Sequence, residues 1–130
     1  MTLGAIAAVI LGGVLGGLAD WYFAGILFHD KYLAYPEVWR PRDTNTYAIV
    51  LGQILVFISA FAFVALASWL GLTDFSQAFA LALGIWVVGP LPMWISSYSF
   101  MKLHPLIVVA HTAGWLVKLL AMALVTALFL

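Results

Sequence analysis

Cysteine is absent from this chain, and charge is scarce. Without cysteine there is no disulfide, no thiolate metal site, no iron–sulfur cluster and no cysteine nucleophile. Asp, Glu, Lys and Arg together make up 8% of 130 residues, with five of each sign and a formal net charge of zero. A water-soluble domain normally carries about a quarter charged residues. A balanced, sparse charge also excludes the basic field that nucleic acid requires and the polybasic run that binds anionic lipid head groups. The start of the chain has no Lys or Arg ahead of its apolar run, and that run continues to Phe28. A cleaved signal has a basic start and a shorter apolar core, so a retained first span is expected.

What is present is apolar: 66% of the residues are hydrophobic. A chain this size could not cover its own surface in water with so few polar groups. Apolar runs cover Leu3–Phe28, Tyr47–Leu70, Ala78–Phe100 and Leu106–Leu130. Each reaches the ~20 residues that cross ~30 Å of hydrocarbon as a helix. In lipid every backbone polar group needs an internal partner, which selects helices, and no period-2 pattern supports barrel strands. The expected fold is all-α: a polytopic integral membrane bundle of four transmembrane helices forming a single domain over residues 1–130, with the lipid bilayer as its main partner. No internal repeat relates the spans.

Residues 29–46 form the one sizeable polar connection. Pro36 and Pro41 argue against a continuous helix there. Tyr32, Tyr35 and Trp39, with Trp21 and Tyr22 before them, suit the membrane interface. The other connections are short, which predicts that the second, third and fourth spans are antiparallel neighbours. Thr73 or Asp74 is placed to cap the third span, and Pro105 to start the fourth. Lys31, Arg40, Arg42 and Lys102 all fall in the first and third connections, with no Lys or Arg on the other side. The positive-inside rule then puts those connections in the cytoplasm of a bacterial inner membrane and both termini outside.

Within the spans, Gly4, Ala8, Gly12, Gly16 and Asp20 recur every four residues, flanked by Gly13 and Gly17. Such a stripe lets helix backbones approach closely, within the chain or between copies. Asp20 lies roughly 12 Å inside the first span, and Lys118 lies near mid-membrane in the fourth. They are the sole acid and the sole strong base in the spans. An ionisable group at such depth costs ~2.5–3.5 kcal/mol or more and is usually paired or functional. A flexible lysine stem covers the difference in depth. Mutual pairing is the expectation, either as a lock on helix register or as a relay or binding site. His111 and Trp115 share a face with Lys118. Gln53 lies about 10 Å in from the same side, and Ser96, Ser97 and Ser99 lie near that end of the third span. The polar groups therefore gather in one half of the bundle, lining a cavity or bonding neighbouring helices. Gly89-Pro90-Leu91-Pro92 predicts a kink in the third span, whose freed carbonyls offer a lesser ion-binding reading. His29, His104 and His111 lack the spacing of a metal or haem site, so no metal or other cofactor is expected. No nucleophile elbow or phosphate loop is present, and no catalytic residue is assigned.

The first span reads Gly16-Gly17-Leu18-Ala19-Asp20-Trp21-Tyr22, then Leu27-Phe28 and a polar segment; the chain closes on His111 to Trp115 and Lys118 to Met122. In these motifs it resembles the bacterial four-span membrane family called domain of unknown function 1761. Phe23-Ala24 stand where that family often has Ser-Pro, which implies a straighter first helix. The resemblance implies the architecture and brings no activity. The leading functional reading is an accessory, structural or self-associating bundle, either a homo-oligomer or a subunit of a larger membrane complex. The alternative is a small oligomeric carrier or channel for a proton, ion or small solute using Asp20, Lys118 and His111. The least supported is a membrane enzyme acting on lipid or quinone, so the balance is against an enzyme.

The orientation is testable. A C-terminal reporter that works only in the cytoplasm should stay silent, and strong activity from that fusion would reverse the assignment.

Overall fold

The computed structural model describes residues 1–41 and 45–130. The expectations that fall on Arg42 and on the Asp43–Thr44 part of the first connection lie outside the described residues. Among the described residues the fold is all-α, with four helices long and apolar enough to cross a membrane: Leu3–Leu27, Asn45–Trp69, Phe75–Phe100 and Pro105–Phe129. Each end lies within three residues of the apolar runs in the sequence.

Helix α1 (Leu3–Asp20) begins with Thr2, whose hydroxyl accepts the Ala5 N–H at 3.1 Å. The first span then changes character. Trp21–Leu27 is a π-helix, closed by a bond from the Phe28 N–H to the Phe23 carbonyl at 3.0 Å. Two 3₁₀ turns, His29–Leu33 and Pro36–Val38, carry the chain along the end of the bundle. Helix α2 (Asn45–Trp69) ends at Gly71, whose φ of 66° lies in the left-handed region that favours glycine. Its neighbours complete a Schellman motif, with Leu72 N–H bonded to the Ala67 carbonyl and Gly71 N–H to the Ser68 carbonyl.

Helix α3 (Phe75–Val88) is capped by Asp74, whose carboxylate accepts from the Gln77 N–H at 2.9 Å and the Ser76 hydroxyl at 2.7 Å. Those bonds hold the Asp74 carboxyl below its usual range. Helix α4 (Pro90–Phe100) continues the third span after a bend of 19° at residue 89. The cause is chemical: Pro90 and Pro92 lack the N–H groups that would bond one turn back. Helix α5 (Pro105–Phe129) starts under His104, whose Nδ1 accepts the Leu106 N–H at 3.1 Å.

Helix α5 is the most buried span and the hub of the bundle. It packs most extensively on α1, then on α3 and α4, while α2 rests chiefly on α1. The expectation that the second, third and fourth spans are antiparallel neighbours is therefore only partly met. The turn joining α2 to α3 is short, yet the two helices meet sparsely, with Phe63 of α2 entering the same core cluster as Ala78 and Ala82 of α3. The glycine stripe explains this layout. Gly12 faces Ala60, Met122 and Val125; Gly13 faces the Phe57 ring; Gly16 faces Val56 and Lys118; Gly17 faces Gln53; Gly4 faces the Phe129 carbonyl. With Ala8 fully buried beside them, these residues bring α1 close to both α2 and α5. The stripe is used inside the chain and does not form an outward face.

The stripe is uneven, which gives a sharp test. A Cβ at Gly16 would lie 2.8 Å from a Val56 methyl and 2.9 Å from Lys118 Cγ, whereas one at Gly12 meets ordinary contacts at 3.4–3.5 Å. Gly16→Ala should destabilise by roughly 1–3 kcal/mol through overpacking, and Gly12→Ala should be tolerated. Equal thermal stability of the two variants in detergent would contradict the packing described.

Candidate functional site

Ionisable and aromatic groups meet where α1 passes into its π-helical end and crosses α5. The end that carries the first and third connections, with Lys31, Arg40 and Lys102, is called here the basic side. Lys118 projects from α5 beside Gly16, where the absence of a side chain makes room for its stem. The stem runs toward the basic side and delivers Nζ to Asp20, one turn further along α1. Nζ lies 2.7 Å from each carboxylate oxygen. It also stands 3.9 Å from the centroid of the Trp115 ring, a cation–π contact. Lys118 is 3% exposed, whereas the Asp20 side chain is 38% exposed. The ammonium is therefore buried between carboxylate and indole, while the carboxylate keeps one open flank.

His111 lies two turns from Lys118 toward the basic side. Its ring stacks on Trp94 of α4, with centroids 3.8 Å apart and planes within 7°. Its Nε2 lies 2.6 Å from the Tyr32 hydroxyl in the first 3₁₀ turn. Tyr32 packs in turn against Trp39, at 5.1 Å between centroids. Burial, and secondarily the negative charge of Asp20, push the Tyr32 phenol up to about 12, so it keeps its proton. The O–H then donates to Nε2, which leaves the proton of a neutral ring on Nδ1. Above this cluster, the Trp86 indole N–H donates to the Thr112 carbonyl at 2.8 Å, tying the third span to α5.

The structure thus brings Asp20 and Lys118 together and places His111 nearby with a tyrosine partner. Gln53 stands apart: its carboxamide lies on Gly17 at the seam of α1 and α2. Ser97 and Ser99 bond carbonyls of their own helix, at Met93 and Ile95, and not those of neighbours. Trp21, Tyr22 and Tyr35 are exposed at the basic end, while Tyr32 and Trp39 are half-buried against it. The sequence did not single out Tyr32 or Trp94 as partners of His111. Tyr32 was legible only as an interfacial aromatic, and Trp94 reaches His111 because α4 is redirected at the proline pair.

The chain matches no protein-family model, no curated protein and no solved structure.

Chemically, the cluster binds a first connection to the bundle and holds one buried cation. The phenol's raised pKa fixes a pH dependence. A folded value above the unfolded one favours the folded state fully below the unfolded value of about 10, and this contribution is lost as pH rises toward 12. The ultraviolet phenolate titration should show one tyrosine ionising near 12 that disappears in Tyr32→Phe. A titration that Tyr32→Phe leaves unchanged near 12 would contradict its packed position.

Proposed function

We propose that this protein is an accessory or self-associating membrane bundle whose charged residues act inward, locking the register of its first and fourth spans. The enclosure of Lys118 between both oxygens of Asp20 and the Trp115 ring carries this reading. A carrier must bring its charged group into contact with water from both sides in turn. Here the far side of α5 is packed against α1 and α2 through Ala5, Ala8, Val64 and Val125. Placement in a bacterial cytoplasmic membrane with both termini outside belongs to the same proposal and rests on Lys31, Arg40, Arg42 and Lys102. So does the likeness to the family called domain of unknown function 1761, which rests on the sequence motifs alone.

A second reading, a proton or ion carrier, is favoured by the open flank of Asp20 and by the adjoining Tyr32–His111 bond. The two separate in reconstituted vesicles. An imposed pH gradient should decay no faster with the wild-type protein than in vesicles carrying Asp20→Asn with Lys118→Met. Faster decay with the wild type alone would replace the register lock by the carrier.

A further inference from the structure

Beside its seam with α1, the exposed surface of α2 carries a groove lined by Ile49, Val50, Gln53, Ile54, Phe57 and Ile58. These residues fall on two adjacent rows spaced every four residues, the geometry that receives a ridge of a second helix. Apolar residues on a spanning helix are covered by lipid without further explanation. Gln53 is different. It is exposed, about eight residues or roughly 12 Å into α2 from its basic end. Its carboxamide oxygen rests on Gly17, and its N–H groups have no hydrogen-bond partner among the described residues. Acyl chains offer none either, so an unpaired amide at this depth is costly.

We infer that the α2 groove is the contact between two copies of this chain, related by a two-fold axis along the membrane normal, with the two Gln53 carboxamides bonded to each other. The symmetry supplies the complementarity. Copies inserted with the same orientation meet at equal depth across such an axis, so Gln53 faces Gln53. A carboxamide carries both donors and an acceptor, which makes the pair self-complementary. The glycine stripe cannot serve instead, because α2 and α5 already occupy it. This inference deepens the self-associating reading, yet the register lock is a property of one chain and stands or falls separately.

The test uses the full chain in lipid vesicles. The absence of native cysteine lets single cysteines report proximity without background. Val50→Cys and Ile54→Cys should form disulfide-linked dimers on oxidation, whereas Val88→Cys, which is 80% exposed on the third span, should not. Single-molecule photobleaching of labelled protein should show dimers, with Gln53→Leu weakening association about three- to tenfold. Wild-type protein that is monomeric in vesicles would show that acyl chains cover the groove and would overturn the inference. Cross-linking from Val88→Cys as efficient as from the groove positions would overturn it too. Because Gln53 also touches Gly17, the cysteine variants decide the matter even if Gln53→Leu folds poorly.

Discussion

A lysine ammonium in hydrocarbon must have a partner, and the rest of this bundle is arranged around supplying one. Lys118 leaves α5 near mid-membrane and is 3% exposed. Gly16 opens the lane its stem needs, Asp20 ends that lane, and Trp115 covers the third side. An ion pair in low dielectric returns much of its Coulomb gain as desolvation cost, so its net contribution to stability is small. Its contribution to specificity is larger. Sliding α1 along α5 by one turn would separate the charges and strand the buried ammonium without a partner, which is strongly unfavourable. The pair therefore selects one register among several that the apolar surfaces alone would tolerate.

That register fixes the rest of the packing. With α1 held against α5, Gly13 and Gly17 point to α2 and receive Phe57 and Gln53, while Gly12 and Gly16 face the junction of α2 with α5. One helix thus serves two neighbours through adjacent glycine pairs, and α2 is attached mainly through it. At the basic end the π-helical turn after Asp20 brings Phe23 against Gly114 and leads the chain into the turn that carries Tyr32. The Tyr32–His111 bond and the His111–Trp94 stack then join the first connection, α5 and α4 at one level of the bundle. The chemistry of the site is continuous with the forces that hold it together.

Much of this was legible in the residues. Four long apolar runs specify four spans because hydrocarbon leaves the backbone no alternative. A single acid and a single base inside those runs point to each other for the same reason. The bend at residue 89 follows from two prolines, Pro90 and Pro92, within a single turn. Other features were not legible. The π-helix at Trp21–Leu27 has no proline or charge to announce it. The partners of His111 depend on how a loop folds back and how α4 is aimed, neither of which has a periodic signature. Glycine spacing marked a close contact without naming the neighbour, since a stripe looks the same whether it faces its own chain or another. Only the arrangement of α2 and α5 around α1 settles that.

The central claim is that Asp20 and Lys118 act as one unit, and a double-mutant cycle in a single detergent measures it most directly. Thermal stability is compared for the wild type, Asp20→Asn, Lys118→Met and the double variant. Each single change strands a partner and should cost about 3 kcal/mol, at the lower end for Lys118→Met because the stranded Asp20 keeps an open flank. The double variant should recover most of the loss, because no uncompensated charge remains. Losses that simply add in the double variant would show that the two residues do not hold each other, and would contradict the account at its base.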